Sequence, residues 1–152
     1  MDYQVASGDK APGFTLPGVP KGSYSLDEYR GSVVVLAFYP ADNSPICTTQ
    51  LRSYTIDSAS FESLGASVLG ISPQGMESHQ RFVEEQAIGL PLLSDEDKVV
   101  AKAYGVLGPM GFYRRSVFVI DRAGIITFVK RTTAGLSFYP TSALIEAIEQ
   151  AG

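Results

Sequence analysis

An uninterrupted apolar run from Ser32 to Tyr39, S-V-V-V-L-A-F-Y, constrains the fold of this chain more than any other segment. β-Branched residues are frequent in the run and no charged side chain interrupts it, which predicts a central strand buried on both faces. Pro40 follows directly and ends the strand, because proline cannot donate a hydrogen bond to a neighbouring strand. A strand of this kind is covered by helices on each side of its sheet, so the run predicts an α/β fold.

The segments after this strand alternate between strand and helix patterns. A second buried strand is predicted over Ser67 to Ile71, and a helix over about Glu77 to Gln86. Further along, Asp121-Arg122-Ala123-Gly124 separates the apolar runs 116–120 and 125–130 and predicts a hairpin, which makes the last strands antiparallel. The sheet is therefore predicted to be mixed, with helices flanking it.

The remaining elements are shorter. Alternating Phe14, Leu16 and Tyr24 around Pro17-Gly18 predict a small N-terminal hairpin. The glycine-rich segment from Gly105 is predicted to be a flexible loop, and apolar side chains at its end are expected to offer a wall to a substrate or a second subunit: Met110, Phe112 and Tyr113. The other predicted elements are a helical turn over Leu26 to Arg30, a short strand over Leu90 to Leu93, a helix capped by Ser94-Asp95-Glu96-Asp97, and a last helix from near Tyr139-Pro140.

Length and composition limit the classes of function. The 152 residues, 45% of them hydrophobic, predict a single domain over residues 1–152. A net charge of -4 argues against nucleic-acid binding. The longest apolar run is far shorter than the ~20 residues of a membrane helix, and no signal peptide is visible, so we expect a cytoplasmic protein that does not bind membranes. One cysteine and one histidine cannot form a zinc site without several carboxylates, so no metal site is expected.

The single cysteine, Cys47, closes the stretch P-A-D-N-S-P-I-C and begins a predicted helix that extends to about Leu64. The N-terminus of a helix carries partial positive charge and unpaired N–H groups, which favour the thiolate form of a cysteine. The thiolate is the nucleophilic form of this side chain. Its position therefore predicts that Cys47 is the chemical centre of the protein.

The spacing of Pro40, Ser44 and Cys47 fits the pattern Pro-x-x-x-Ser/Thr-x-x-Cys, which resembles the peroxidatic motif of the peroxiredoxins. Further blocks are similar to that family in the same order: G-D-K-A-P-G-F-T-L, C-T-T-Q, L-L-S-D-E-D and R-S-V-F-V-I-D. Among the subgroups, the chain looks most like the bacterioferritin comigratory protein, or Q-type, peroxiredoxins. The resemblance implies a thioredoxin-like fold with an N-terminal β-hairpin extension, and it spans nearly the whole chain.

The resemblance also implies a reaction and its two main residues. Cys47 is the nucleophile that attacks the O–O bond of hydrogen peroxide or an organic hydroperoxide, becoming a sulfenic acid and releasing water or an alcohol. Arg115 places a guanidinium beside the thiolate and donates hydrogen bonds as charge moves along the S–O–O axis. Arg114, its neighbour on the strand, is expected to point the other way. No metal, haem or flavin cofactor is implied.

Four further residues complete the implied site. Ser44 supplies a hydroxyl, and the backbone N–H groups of Ile46 and Cys47 donate toward a peroxide oxygen. Pro40 covers the sulfur and excludes water, and Gln50 orients the arginine. Ile46 stands where the subgroup commonly has glycine, so it adds bulk beside the sulfur.

A second cysteine is missing from its usual place. Many proteins of the subgroup carry a resolving cysteine five positions after the peroxidatic one, where this chain has Arg52, and the sequence contains no other cysteine. The sulfenic acid is then recycled by an external thiol, from thioredoxin, glutaredoxin or a low-molecular-weight thiol, or through a disulfide between two chains. The prediction is a one-cysteine, thiol-dependent peroxidase that acts as a monomer or a homodimer.

Two other interpretations of Cys47 remain open at this point. One is a redox-sensing or chaperone-like thioredoxin-fold module with low turnover, and the other is a structural domain with an inert buried thiol. A Cys–His dyad with His79 would instead indicate acyl transfer. The polar helix segment around His79 argues against this, because it predicts a histidine at the surface or in a cap.

Overall fold

Seven strands in the described part of the chain form one mixed β-sheet. The computed structural model describes residues 5–131 and 139–152. Its strands are β1 (Thr15–Val19), β2 (Gly22–Ser25), β3 (Val33–Phe38), β4 (Ala66–Ser72), β5 (Leu92–Ser94), β6 (Ser116–Ile120) and β7 (Ile126–Arg131). They lie in the order β2-β1-β5-β4-β3-β6-β7. The pairs β3–β4 and β4–β5 are parallel and the others are antiparallel, which confirms the predicted mixed sheet.

Helices cover both faces of this sheet. They are α1 (Pro45–Ile56), α2 (Ser58–Ser63), α3 (Met76–Gln86), α4 (Val99–Ala103) and α5 (Thr141–Ala151), and a short 3₁₀ turn spans Leu26–Tyr29. The helices α1, α3 and α5 pack on one face, and α4 packs on the other. None of the helices in residues 5–131 and 139–152 is both long enough and apolar enough to cross a membrane.

β3 is the central strand that the sequence predicts, and every one of its residues is buried. Successive side chains of a strand point to opposite faces of the sheet, so β3 contributes to two cores. One set of its side chains faces the core that contains Cys47, and the other set faces the core that contains Phe118. The first set is Val33, Val35 and Ala37, and the second is Val34, Leu36 and Phe38.

The N-terminal hairpin is present, but its turn lies further along the chain than predicted. The sequence pattern places the turn at Pro17-Gly18, whereas both residues lie inside β1 and the turn falls at residues 20–21. Gly18 pairs with Gly22 of β2, and a Cβ atom at Gly18 would come within 2.7 Å of the Tyr24 ring. This glycine therefore permits close packing inside a strand and does not form a turn.

The helix predicted from Cys47 to about Leu64 differs from the structure at its start and in its middle. It begins earlier, at Pro45, and it divides at Asp57 into α1 and α2. The last helix begins at Thr141, with Pro140 as its N-cap residue instead of its first helical residue. In both places a proline lies at the helix start, where its lack of an N–H group leaves no hydrogen bond unmade.

The acidic segment before α4 caps that helix, as predicted. Asp95 is buried and its carboxylate accepts hydrogen bonds from the N–H groups of Val100 and Ala101, while Asp97 accepts one from Val99. Tyr113 also donates its hydroxyl proton to Asp95, at 2.6 Å. The carboxylate thus ties the segment before β6 to the start of α4.

This contact corrects the predicted apolar wall at the end of the glycine-rich loop. Met110 and Phe112 are exposed, at 92% and 68%, as such a wall requires. Tyr113 is instead buried, because the carboxylate of Asp95 accepts its hydroxyl and the Phe38 ring packs beside it. Only two of the three side chains are therefore accessible from solvent.

Candidate active site

Cys47 lies in the first turn of α1 and is fully buried, with 0% of its surface exposed. Ser44 is the N-cap residue of α1, and its hydroxyl oxygen accepts a hydrogen bond from the N–H group of Cys47 at 3.3 Å. Pro45 follows in the first turn, where a proline is well tolerated. The local sequence Ser-Pro therefore starts the helix and places the sulfur at the positive end of the helix dipole.

Residues 39–44 connect β3 to α1 and lead directly to Cys47. Pro40 and Ser44 are half-buried, and Asp42 between them is buried. Asn43 is exposed and adopts a left-handed backbone conformation with φ of 62°. Asparagine tolerates this conformation better than most residues, so Asn43 lets the chain turn from the end of the strand into the helix.

Arg115 contacts Cys47 although 68 positions separate the two residues. It lies directly before β6, and the register between β6 and β3 pairs Ser116 with Phe38, at the end of β3 that leads to the cysteine. The guanidinium Nη2 donates to Sγ of Cys47 at 3.0 Å. Because Arg115 is itself buried, little solvent screens its positive charge from the sulfur.

Gln50 holds the other end of this guanidinium. Its Oε1 accepts a hydrogen bond from Nη1 of Arg115 at 2.6 Å, and its Nε2 donates to the hydroxyl of Tyr54 at 3.4 Å. Tyr54 in turn donates to the main-chain oxygen of Tyr139, at 2.5 Å. Burial raises the pKa of Tyr54 to about 12, against the smaller opposing effects of Gln50 and Arg115. A buried chain of polar contacts thus extends from the sulfur to the start of α5.

The structure brings four of the predicted site residues into one hydrogen-bonded group: Ser44, Cys47, Gln50 and Arg115. Ile46 lies beside the sulfur's residue in the first turn of α1 and is half-buried, as is Pro40 in the preceding loop. The N–H group of Cys47 donates to Oγ of Ser44.

The polar segment around His79 predicts a side chain at the surface or in a cap. In the structure His79 is instead fully buried, with 0% of its surface exposed. Nδ1 of its ring lies 2.8 Å from Oδ2 of Asp42, and Nε2 lies 3.0 Å from the main-chain oxygen of Leu93. Both ring nitrogens are therefore engaged by partners other than Cys47. The reason for the burial is Asp42, 37 positions earlier in the chain, which supplies a polar partner inside the protein.

The polar cluster around Asp42 escaped sequence reasoning. Tyr39 and Ser78 also donate hydrogen bonds to this carboxylate, both at 2.7 Å. Burial opposes the ionisation of Asp42, but hydrogen bonds from His79, Ser78 and Tyr39 outweigh it and lower its pKa. Burial and the nearby Asp42 charge raise the pKa of Tyr39 well above its ordinary value. Within residues 5–131 and 139–152, no group of three or more His, Cys, Asp or Glu could hold a metal ion.

Comparisons with known proteins show which family the chain belongs to. A model of the AhpC/TSA family matches residues 7–129. A protein named as a peroxiredoxin in Mycobacterium tuberculosis is 39% identical over 130 residues, which cover 81% of this chain and 83% of that protein. A protein named as peroxiredoxin bcp in Coxiella burnetii is 36% identical over 132 residues, covering 82% of this chain and 87% of the relative.

A solved structure of Xanthomonas campestris peroxiredoxin Q superposes on this chain with a TM-score of 0.80 and 27% sequence identity, covering 90% of each chain. This similarity confirms the predicted thioredoxin-like fold, in the form that peroxiredoxins have. The relatives named bcp and the structure named peroxiredoxin Q also confirm the resemblance to that subgroup. The chain therefore belongs to the AhpC/TSA family and, within it, to the peroxiredoxins, which are thiol-dependent peroxidases.

Proposed function

We propose that Cys47 reduces hydrogen peroxide and organic hydroperoxides, assisted by Arg115. The thiolate attacks one peroxide oxygen, an S–O bond forms, the O–O bond breaks, and the leaving oxygen takes a proton to become water or an alcohol. The sulfur is oxidised to a sulfenic acid and the peroxide is reduced. The observation that carries the proposal is the buried guanidinium of Arg115, which lies 3.0 Å from Sγ of a cysteine in the first turn of a helix.

Each contact at the site supports a separate role. Arg115 stabilises the thiolate and then the negative charge that moves onto the leaving oxygen. Gln50 keeps the guanidinium in the plane that reaches the sulfur, because it accepts from Nη1 while Nη2 faces Sγ. Ser44 retains a hydroxyl proton that it can donate to a peroxide oxygen, since its hydrogen bond with Cys47 uses only its oxygen as an acceptor.

The half-buried residues on either side shape the entrance. Pro40 shields the sulfur from water, and Ile46 adds apolar bulk next to it and supplies a backbone N–H group. Exclusion of water strengthens the interaction between guanidinium and thiolate, because fewer solvent dipoles screen it. Ile46 also favours hydroperoxides with an apolar substituent over hydrogen peroxide.

Recycling of the sulfenic acid requires thiols from outside the chain, because Cys47 is its only cysteine. A first external thiol forms a mixed disulfide with Cys47 and releases water, and a second thiol releases the reduced enzyme and an external disulfide. Thioredoxin, glutaredoxin and low-molecular-weight thiols all fit this chemistry. Since Cys47 is fully buried, any of them larger than a peroxide reaches it only when the first turn of α1 opens.

The rate at which one equivalent of hydrogen peroxide oxidises the reduced thiol tests the proposal. We expect the folded protein to react orders of magnitude faster than the same chain unfolded in urea, and the Cys47→Ser variant to lose peroxide reduction altogether. Equal rates in the folded and unfolded chain would contradict the proposal. Rapid oxidation without sustained peroxide consumption under any added thiol would instead identify a redox sensor.

A further inference from the structure

The buried pair of Asp42 and His79 has no part in the peroxide chemistry described above, yet Asp42 belongs to the loop over residues 39–44 that leads to Cys47. Tyr39 and Asp42 are both fixed by this cluster, and Pro40 lies between them in the chain. Ser44, the cap of α1, follows Asp42 by two residues. The cluster is therefore joined through a few residues of main chain to Pro40 and Ser44, which precede Cys47.

Both ring nitrogens of His79 face oxygen atoms. Oδ2 of Asp42 and the main-chain oxygen of Leu93 both act as acceptors, and they face Nδ1 and Nε2 respectively. A neutral imidazole has one N–H group and one lone pair, so one of these contacts would set a lone pair against an oxygen. An imidazolium satisfies both contacts, and the ionised Asp42 balances its charge inside the protein.

The partners of Asp42 complete a closed arrangement. Oδ1 accepts from the hydroxyl of Tyr39, and Oδ2 accepts from Ser78 and His79. Ser78 and His79 belong to α3, and Leu93 belongs to β5. The cluster therefore ties the loop over residues 39–44 to a helix and a strand that lie far from that loop in the sequence.

We infer that Asp42 and a doubly protonated His79 form a clamp of positioning residues, which holds the loop closed around Cys47 for attack on peroxide. The same clamp limits how often the first turn of α1 opens to larger thiols. This inference rests on the proposed peroxidase function only for the effect on peroxide. Its effect on opening is independent of that function.

Two variants remove opposite charges from the clamp. His79→Gln removes the positive charge and one donor, and Asp42→Asn removes the negative charge while keeping the shape of the side chain. Loss of a charge-assisted hydrogen bond of this kind corresponds to a change of about tenfold or more in an opening equilibrium. A matched control is Tyr104→Phe, which removes the hydrogen bond from Tyr104 to the oxygen of Pro12, on the other face of the sheet.

The readout of opening is the rate at which a bulky aromatic disulfide labels Cys47 in low concentrations of urea. Labelling through local opening is nearly independent of urea, whereas labelling through global unfolding rises steeply with it. We expect both clamp variants to raise the urea-independent rate about tenfold or more and to slow oxidation by hydrogen peroxide. Tyr104→Phe is expected to lower the urea midpoint without changing the urea-independent rate.

The signs of the two effects separate a clamp from a simple influence of charge on the thiolate. Through-space electrostatics would change the reactivity of Cys47 in opposite directions in His79→Gln and Asp42→Asn, whereas loss of the clamp changes it in the same direction. The double variant should show little more effect than Asp42→Asn alone, because that variant already breaks the ion pair that His79→Gln removes. Opposite signs, additive effects, or an unchanged urea-independent rate would overturn the inference.

Nitrogen NMR of the ring tests the proton count directly, because His79 is the only histidine in the sequence. With any purification tag removed and histidine labelled with ¹⁵N, we expect two N–H groups protected from exchange. A single N–H group would overturn the doubly protonated ring. If the wild-type thiol shows no acceleration by folding in its reaction with peroxide, the proposed function fails, while labelling and NMR still decide the clamp.

Discussion

Two arginines on neighbouring strands, Arg115 and Arg131, use the same side chain for different purposes. Arg115 directly precedes β6 and Arg131 ends β7, and the strand register pairs Arg131 with Ser116. The guanidinium of Arg131 lies 5.2 Å from the centre of the Phe118 ring. Within residues 5–131 and 139–152, it donates to three main-chain oxygens at 2.7 to 3.0 Å, which belong to Val5, Tyr104 and Gly105.

Arg115 instead donates to two side-chain atoms, Sγ of Cys47 and Oε1 of Gln50. A main-chain oxygen does not ionise or react under ordinary conditions. The contacts of Arg131 therefore serve to join segments that are distant in the sequence. A thiol can ionise and react, so in the proposed mechanism the contact of Arg115 with the sulfur acts on the chemistry. The kind of acceptor, and not the number of hydrogen bonds, is what separates the arginine proposed to assist the reaction from the arginine that joins segments of the chain.

The largest effect is expected from Arg115→Lys. Lysine keeps the positive charge but lacks the planar fork that reaches Cys47 and Gln50 together. Loss of one preorganised donor typically slows a reaction by about 10²–10³-fold, and we expect this loss in the rate of Cys47 oxidation by hydrogen peroxide. Arg114→Lys, next to it in the chain, is the matched control and should leave the rate unchanged. Stopped-flow oxidation measures both, and a wild-type rate in Arg115→Lys would remove Arg115 from the mechanism.

Arg131→Lys should have the opposite profile. A single ammonium cannot keep donors on three main-chain oxygens, so we expect the free energy of unfolding to fall by about 2 kcal/mol. Oxidation of Cys47 should remain within about twofold of wild type, because changes far from the reacting atoms are usually small. Urea unfolding and peroxide kinetics on the same sample test this. A slowed reaction with unchanged stability would mean that the two arginines are coupled.

The fold was more accessible from the sequence than the contacts between side chains. The apolar run of β3 predicts a strand buried on both faces, because consecutive residues of a strand point to opposite faces and all of these are apolar. The predicted turn at Pro17-Gly18 is wrong, because the local pattern cannot reveal that Gly18 packs against Tyr24. Local sequence predicts an element well when its cause is local.

In the candidate site, too, some features depend on neighbouring residues and others on contacts between distant ones. The cap at Ser44 and the position of Cys47 follow from neighbouring residues, whereas the contact with Arg115 depends on the register of β6 on β3. Only the resemblance to a family pointed to Arg115. His79 was predicted at the surface because its neighbours in the chain are polar, and its burial depends on Asp42, which no local pattern connects to it.

Variants at Gln50 test whether the orientation of the Arg115 guanidinium matters for the reaction in addition to its charge. Gln50→Met keeps the length of the side chain but removes the acceptor of Nη1, so the guanidinium loses the contact that orients it. We expect the rate of peroxide oxidation to fall about tenfold, the equivalent of one hydrogen bond to a charged group. Gln50→Glu retains an acceptor and is expected to fall less. The stopped-flow assay distinguishes them, and equal rates in Gln50→Met and wild type would show that Arg115 needs no second partner.

The smallest effect is expected from Tyr54→Phe, at the far end of the same polar chain. The variant removes the hydrogen bonds that the Tyr54 hydroxyl makes with Gln50 and with the oxygen of Tyr139, so the unfolding free energy near pH 7 should fall by about 1 kcal/mol. Oxidation of Cys47 should slow by less than in Gln50→Met, because the acceptor of Arg115 remains.

The difference in unfolding free energy between the wild type and Tyr54→Phe is expected to fall as the pH rises. Burial raises the pKa of Tyr54 to about 12 in the folded protein, so folding favours the neutral hydroxyl. The stability that this provides is fully present below about pH 10, the ordinary value for tyrosine, and is lost as the pH rises through the folded value. The wild type should therefore lose its advantage over Tyr54→Phe between those two limits. A constant difference in unfolding free energy across this range would show that the hydroxyl is hydrated, and that the polar chain from Cys47 ends at Gln50.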